Sequence, residues 1–469
     1  MIDAIYEKIE KFLTNTQGMM LEREEVMRLL ILVVFAKENI FFYGPPGTGK
    51  SLIDRVMQIA FAELRHFRYL MREGAKYDDI FGEVVKVDEH TSKRNIEKKL
   101  PWAQLAFIDE TWKGDDGILN SLLTVLNEKI FDDTYQVVDV DLYTAIGASN
   151  EFPRTKYLAA IFERFPVRIE VPNVTRKESF EALVDNNLVE IIPDNIPQFS
   201  IEEIEYVYSR YSTIKNSQEF KDLLWGAKKM LEKMLNTTDD FEGRAYEISG
   251  RTVNKIGRLC SVSAFINKRQ ETDISDVFLC KYILWKNLKE RSIVYTVIDN
   301  IVFGDKHNIL EDVQIVIKKV DEEMQSFRNS AYGKVAYKVL IVDDKDFDAT
   351  IGAIEQKRRH YISLLGKINE KIDLFMENER VYQIIDKNIF LYAPHVVPWR
   401  AMTEEMMLQE VNEFHEIVRE YSGGNYYELL MGYKQRLQKD IELIDAFKAG
   451  NYDYFDYQHF ALEKGLMRN

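Results

Sequence analysis

The chain has 469 residues, 46% hydrophobic and 30% charged, enough to bury real cores in about two to four domains of ordinary size. Its formal net charge of −15 speaks against broad, sequence-independent nucleic-acid binding, which needs basic residues to neutralise phosphates. An acidic, amphipathic start (MIDAIYEKIEKF), no apolar run of membrane-spanning length, and two cysteines without metal-site spacing predict a cytoplasmic protein with no membrane span and no structural metal, its thiols Cys260 and Cys280 buried as small hydrophobes.

In chain order, the apolar run ILVVFAKENI (31–40) predicts a strand leading into FFYGPPGTGKS (41–51), and LIDRVMQIAFAEL repeats its apolar residues at helical spacing after it. FRYLM (67–71), LAFIDE (105–110), LYTAIGASN (142–150) and VRIEV (167–171) predict further strands, with helices over 118–128 and around YLAAIFERF. Such alternation implies a mostly parallel sheet covered by helices, an α/β domain over 1–174. From Thr175 the strand signals stop, and 175–290 reads as an all-α domain.

A helical stalk is predicted over 291–421. Val313, Ile317, Val320, Met324 and Phe327 share one helix face; Tyr361, Leu365, Ile368, Ile372 and Phe375 repeat at heptad spacing, as do Met407, Val411, Phe414, Val418 and Tyr421. A short β-like piece near 331–350 interrupts them, and the loop NIFLYAPHVVPW joins the last two. A final helix and an aromatic-acidic tail fill 422–469; the tail reads either as packed on its own stalk or as a docking segment.

The stretch at 44–51 matches G-x-x-x-x-G-K-[ST] between a strand and a helix. Gly44, Pro45, Pro46, Gly47, Thr48, Gly49, Lys50, Ser51 and Leu52 are the candidate phosphate cradle: backbone N–H groups curl around the β-phosphate, Lys50 reaches the β/γ oxygens and the Ser51 hydroxyl ligates Mg²⁺. Hydrolysis needs a second carboxylate site, and LAFIDE supplies it, with Asp109 for Mg²⁺ and Glu110 for the attacking water. Ser149 and Asn150 end the next strand at the same sheet edge. Arg164, Arg168, Arg251 and Arg258 are candidates to stabilise charge on the transferred phosphoryl.

The order GPPGTGKS, FIDETWK, GASN, FERF and SGR resembles an AAA+ ATPase of the MoxR group, most closely the RavA type, which is similar in the lead-in here written MLERE and in Asp-Glu-x-Trp-Lys. The resemblance covers about residues 1–290 and weakens along the stalk. It implies an α/β AAA+ core with a P-loop, an all-α lid and a helical stalk, with ATP and Mg²⁺ as ligands. It further implies that Asn150 is sensor 1, Arg164 the arginine finger reaching a neighbour's nucleotide, Arg251 sensor 2, and that Leu21 and Glu22 pass the adenine. Arg168 is a second candidate for a contact in trans. KIFDDTYQVVDVDL would be a hairpin before sensor 1, and EVVKVDEHTSKRNIEKKLP an insertion near the second helix.

Assembly into a homo-hexamer and a von Willebrand factor A domain partner are implied by the same resemblance. The leading expectation is an ATP-driven motor that remodels a partner protein. Its alternatives are a nucleic-acid-dependent motor, against which stand Asp132, Asp133, Asp139 and Asp141 on a hairpin free of Lys and Arg beyond its first residue, and a nucleotide-gated scaffold that barely hydrolyses ATP. RavA-type proteins carry a whole β domain between the stalk helices; here about Ala331 to Thr350 stands in its place.

Overall fold

The computed structural model describes residues 1–17, 20–153, 155–185, 195–236, 246–304, 306–329, 344–392 and 426–448. Most of the β-like insert, the heptad helix at 407–421 and the terminal tail lie outside these residues. The chain forms two compact units, 1–302 with 384–393, and 303–383 with 394–469. No described helix is long and apolar enough to cross a membrane.

The first unit opens with α1 (Ile2–Gln17) and α2 (Glu24–Phe35), then β1 (Ile40–Tyr43) and α3 (Lys50–Ala60). The apolar run at 31–35 is thus the end of a helix, not the strand its composition suggests. Residues 29–36 are fully buried, so the helix is apolar all round and no periodicity betrays it. Lys37, with φ of 51°, turns the chain out of the helix, and the strand keeps only four residues.

There follow β2 (His66–Leu70), α4 (Tyr77–Phe81), β3 (Val84–Lys86), β4 (Ser92–Arg94), β5 (Leu105–Asp109), α5 (Asp116–Glu128), β6 (Ile130–Asp133), β7 (Gln136–Asp139), β8 (Thr144–Ser149), α6 (Lys156–Phe162) and β9 (Val167–Glu170). Five strands form one sheet in the order β2-β5-β8-β1-β9, every neighbour parallel, while β3-β4 and β6-β7 are separate antiparallel hairpins. Parallel pairing needs crossovers, and the helices that make them bury both faces, so β8 is buried along its whole length. All five strands also point their carboxyl ends to one edge, with Tyr43 in register with Ser149 and Leu70 with Asp109. In an open α/β sheet this edge is where ligands bind.

Among the described residues, the rest of the first unit contributes helices: α7 (Lys177–Val184), α8 (Ile201–Arg210), α9 (Gln218–Asn236), α10 (Gly250–Ile266), α11 (Ile274–Phe278) and α12 (Leu288–Phe303), which reaches its boundary. Ser200 and Asp273 head α8 and α11 with capping boxes, and Ser249 caps α10. Cys260 and Cys280 are unpaired and buried in this part. Residues 384–393 return to it: the Asn388 amide donates to Ser275 Oγ at 2.9 Å, and Phe390 is fully buried.

The second unit packs α13 (Lys306–Asn329), α14 (Asp344–Asp386) and α15 (Tyr426–Lys448) around one apolar core. Val313, Ile317, Val320 and Met324 fill it from the first helix, and Tyr361, Ile368, Ile372 and Phe375 from the second. Leu365 is only partly buried, and Leu364 takes the deeper place.

Candidate functional site

The phosphate loop is shaped by three glycines. Gly47 and Gly49 adopt φ of 82° and 84°, the left-handed region that costs other residues energy. Gly44 has no such angle but no room either: a Cβ there would lie 2.2 Å from the Val171 carbonyl oxygen. Directly after Gly49, α3 begins at Lys50, so its unpaired amides and positive dipole end face the loop.

Lys50 is 9% exposed and donates to the carbonyls of Gly44 and Pro45 at 2.8 and 2.9 Å. Burial pulls its pKa down, while Asp109 and then Glu110 draw it back up, so the three groups share one electrostatic environment. Asp109 ends β5; Glu110 follows in the left-handed conformation, its amide donating to Asp109 Oδ1 at 3.0 Å. Glu110 Oε2 is shielded from water, 3.3 Å from Lys113 Nζ and without a hydrogen bond. Ser51 Oγ is exposed and accepts from Arg68 at 3.0 Å.

The neighbouring strand end is tied to this one. Thr111 Oγ1, fully buried, donates to the carbonyls of Ile108 and Ala148 and accepts from the Ala148 amide at 3.1 Å. Trp112 Nε1 donates to the Glu151 carbonyl at 2.8 Å, and its ring stacks on Phe41 at 5.0 Å. These contacts flank Ser149 and the exposed Asn150. The loop, Asp109, Glu110, Ser149 and Asn150 therefore meet at one sheet edge: a cation, a helix N-terminus and two carboxylates, a donor set suited to a nucleotide phosphate with its divalent ion.

Sequence reasoning missed Arg23. It is 5% exposed, and its guanidinium donates to the carbonyls of Thr48 in the loop, Glu22 and Pro172, at 3.2, 2.8 and 2.6 Å. The signal stood in MLERE, where Arg23 has no spacing that marks it. Beside it Glu22, with φ of 58°, accepts from the amides of Thr175 and Arg176. Partial burial opposes its ionisation, but these hydrogen bonds prevail and draw the carboxyl down to about 2. Leu21 and Glu22 thus lie beside the segment that leads into α7.

The arginines lie elsewhere. Arg164, Arg168, Arg251 and Lys255 line a cavity of about 400 Å³ with Tyr246, Ser249 and Thr252, and no phosphate-loop residue lines it. Burial lowers the Arg164 pKa, with the Arg251 charge next in effect, and Arg164 Nε is shielded from water without a hydrogen bond. Two like charges are held together with no acceptor for that nitrogen. Arg168 does not serve the contact in trans that the sequence suggests. It is 5% exposed and donates to the carbonyls of Ile283 and Trp285 at 2.9 and 2.6 Å, and burial pulls its pKa down to about 10. Arg258 instead pairs with Glu38 at 3.1 Å.

Comparison with known proteins agrees with this geometry. Residues 7–207 match the family described as the MoxR domain in the MoxR-vWA-beta-propeller ternary systems, and residues 220–298 match the AAA lid domain. Two proteins of Methanocaldococcus jannaschii, the uncharacterized MJ0079 and MJ0812, are each 27% identical, over 69% and 70% of this chain and 82% and 86% of their own lengths. A crystal structure of a candidate ATPase from Cytophaga hutchinsonii shares the fold at a TM-score of 0.52 and 14% identity, over 65% of this chain and 96% of that one. The chain thus carries a stretch like a MoxR domain, which contains the five-stranded parallel sheet, and an AAA lid after it, on an AAA+ ATPase fold.

Proposed function

We propose that the chain is an ATP-hydrolysing motor, RavA-like within the MoxR type, that assembles as a hexameric ring and remodels a partner protein. The observation that carries this reading is that Arg164 and Arg251 line a cavity that no phosphate-loop residue lines, so the charge they could lend to a transferred phosphoryl is offered away from the chain's own loop. Within a chain, Lys50 and the loop residues 44–52 hold the phosphates, Ser51 and Asp109 are the ligands for Mg²⁺, and Glu110 orients and polarises the attacking water. Bound Mg²⁺ would neutralise the β- and γ-oxygens. Asn150 senses the γ-phosphate, and Leu21 and Glu22 flank the adenine. Arg164 and Arg251 reach the nucleotide of the next subunit, where the unpartnered Arg164 Nε finds its acceptor.

In this reading 1–174 is the motor core, 175–290 its lid, 291–421 a stalk and 422–469 a further helix with its tail. A von Willebrand factor A domain protein is the partner, in keeping with the systems after which the matched family is described. An ATP-driven motor belongs where ATP is made available, so the cytoplasm is its place.

The test is steady-state ATP hydrolysis against protein concentration for the wild type, Arg164→Ala, Glu110→Gln and a mixture of the two variants. Turnover that rises with assembly, falls at least about a hundredfold in each variant and partly returns in the mixture supports the reading. Turnover indifferent to concentration and to Arg164 overturns it.

A further inference from the structure

Glu38 and Asn39 form the step between α2 and β1, and both are buried, 5% and 3% exposed. Neither belongs to a motif, yet each holds one of the two arginine-bearing elements. The Asn39 amide nitrogen donates to the Arg164 carbonyl at 2.9 Å, and its Oδ1 accepts from the Ala145 amide at the start of β8, also at 2.9 Å. One side chain thus anchors the backbone of Arg164 to the sheet.

Glu38 does the same for Arg251 through the lid helix. Arg251, Lys255 and Arg258 lie four and three residues apart on α10, so they share one face. Glu38 pairs with Arg258 at 3.1 Å and with Lys255 at 3.8 Å. At the leading end of that face, Arg251 donates to Asn127 Oδ1 at 3.4 Å. A carboxylate buried among cations is costly to leave unpaired, so this clamp sets where α10 sits on the sheet and hence where Arg251 points. The next residues after the pair are β1, about 13 Å of strand, and then Gly44 of the phosphate loop.

We infer that Glu38 and Asn39 are positioning residues for the two arginines, setting the cationic face that each subunit offers to its neighbour's nucleotide and leaving the subunit's own phosphate loop intact. This rests on the proposed action of Arg164 and Arg251 in trans.

Complementation separates such a role from a general structural one. In Glu38→Gln rings every subunit keeps its own loop but offers misplaced arginines, so kcat falls about tenfold to a hundredfold with little change in KM for ATP, and Glu38→Asp recovers part of the loss. Mixed with Glu110→Gln, which lacks the water-activating carboxylate but keeps its arginines, Glu38→Gln regains activity. Mixed with Arg164→Ala it does not, because neither chain then offers a complete arginine pair. Should Glu38→Gln fail to assemble, Asn39→Ala is put through the same two mixtures, with the same result expected.

Wild-type turnover of Glu38→Gln alone overturns the inference. So does rescue by Arg164→Ala, or an assembled variant rescued by neither partner. The control mixture of Arg164→Ala with Glu110→Gln reports on the trans reading separately, and its failure to recover takes the inference down with it.

Discussion

The phosphate-loop end of the sheet and the arginine-lined cavity are built by opposite means. At the loop, backbone does most of the work: glycines without side chains, a helix N-terminus and two carbonyls around Lys50. At the cavity, side chains from separate segments are gathered, Arg164 after α6 and Arg251 and Lys255 on α10, with Asn39 holding the Arg164 backbone and Glu38 pairing with Lys255. The loop is close to complete in one chain. The cavity gathers Arg164, Arg168, Arg251 and Lys255 beside Glu163 and Glu247, and in the proposed ring a phosphate brought by another copy of the chain would meet the Arg164 nitrogen that has no acceptor. Under the proposed function, a site divided in this way would couple hydrolysis to assembly.

The largest expected effect breaks the backbone half. Gly44→Ala forces a methyl group to 2.2 Å from the Val171 carbonyl, so the loop must shift. Misplacement by about 1 Å is worth about a hundredfold in rate, and turnover should fall at least that far while the hydrogen exchange of α10 stays as in the wild type. Exchange that changes equally in both regions would mean that the two halves are not separately built. A smaller effect is expected of Arg23→Met, which removes three hydrogen bonds to carbonyls, one of them on the loop. At about 1.5 kcal/mol or more for a charged hydrogen bond, nucleotide binding should weaken about tenfold. Titration with a fluorescent ATP analogue checks this, and unchanged affinity would remove Arg23 from the loop's support.

This contrast also decides what could be read in the sequence. The loop stands out because its geometry demands glycines at fixed offsets around a lysine, and LAFIDE because a buried strand must be apolar until it ends. The parallel sheet follows from alternation with helices, but its strand order β2-β5-β8-β1-β9 does not, since alternation leaves open which strands are neighbours. The run at 31–35 misled because a helix buried on every side has no polar face to give it a period. Arg164 and Arg251 stood in the sequence as two of four candidate arginines, and only family resemblance gave them separate roles, since a lone arginine carries no local signal of its role. Arg23, Glu38 and Asn39 were not found: apart from the Glu22 carbonyl beside Arg23, their hydrogen-bond partners lie 25 to 220 residues away, a separation no spacing rule reaches.

The smallest effect sharpens the side-chain half. Lys129 closes α5 with φ of 56°, and its Nζ is shielded from water without a hydrogen bond, in the field of Glu38, Lys255 and Arg258. Burial brings its pKa from 10.5 down to about 8, more than the Glu38 carboxylate restores. Below pH 8 the folded and unfolded chains both carry this charge, and the folded state bears the whole cost of burying it. Between about 8 and 10.5 the folded chain has released the proton that the unfolded chain still holds, so stability gained from this group rises with pH. Lys129→Met keeps the same backbone strain, since neither residue is glycine, and leaves Glu38 paired to Lys255 and Arg258. It should therefore stabilise the first unit by about 2 kcal/mol at neutral pH, an advantage that fades as pH rises through 8 toward 10.5. Denaturant unfolding of both proteins across that range checks it. A loss of stability at neutral pH would mean that Lys129 is a needed third partner of Glu38, and that the cationic face is balanced more tightly than its hydrogen bonds indicate.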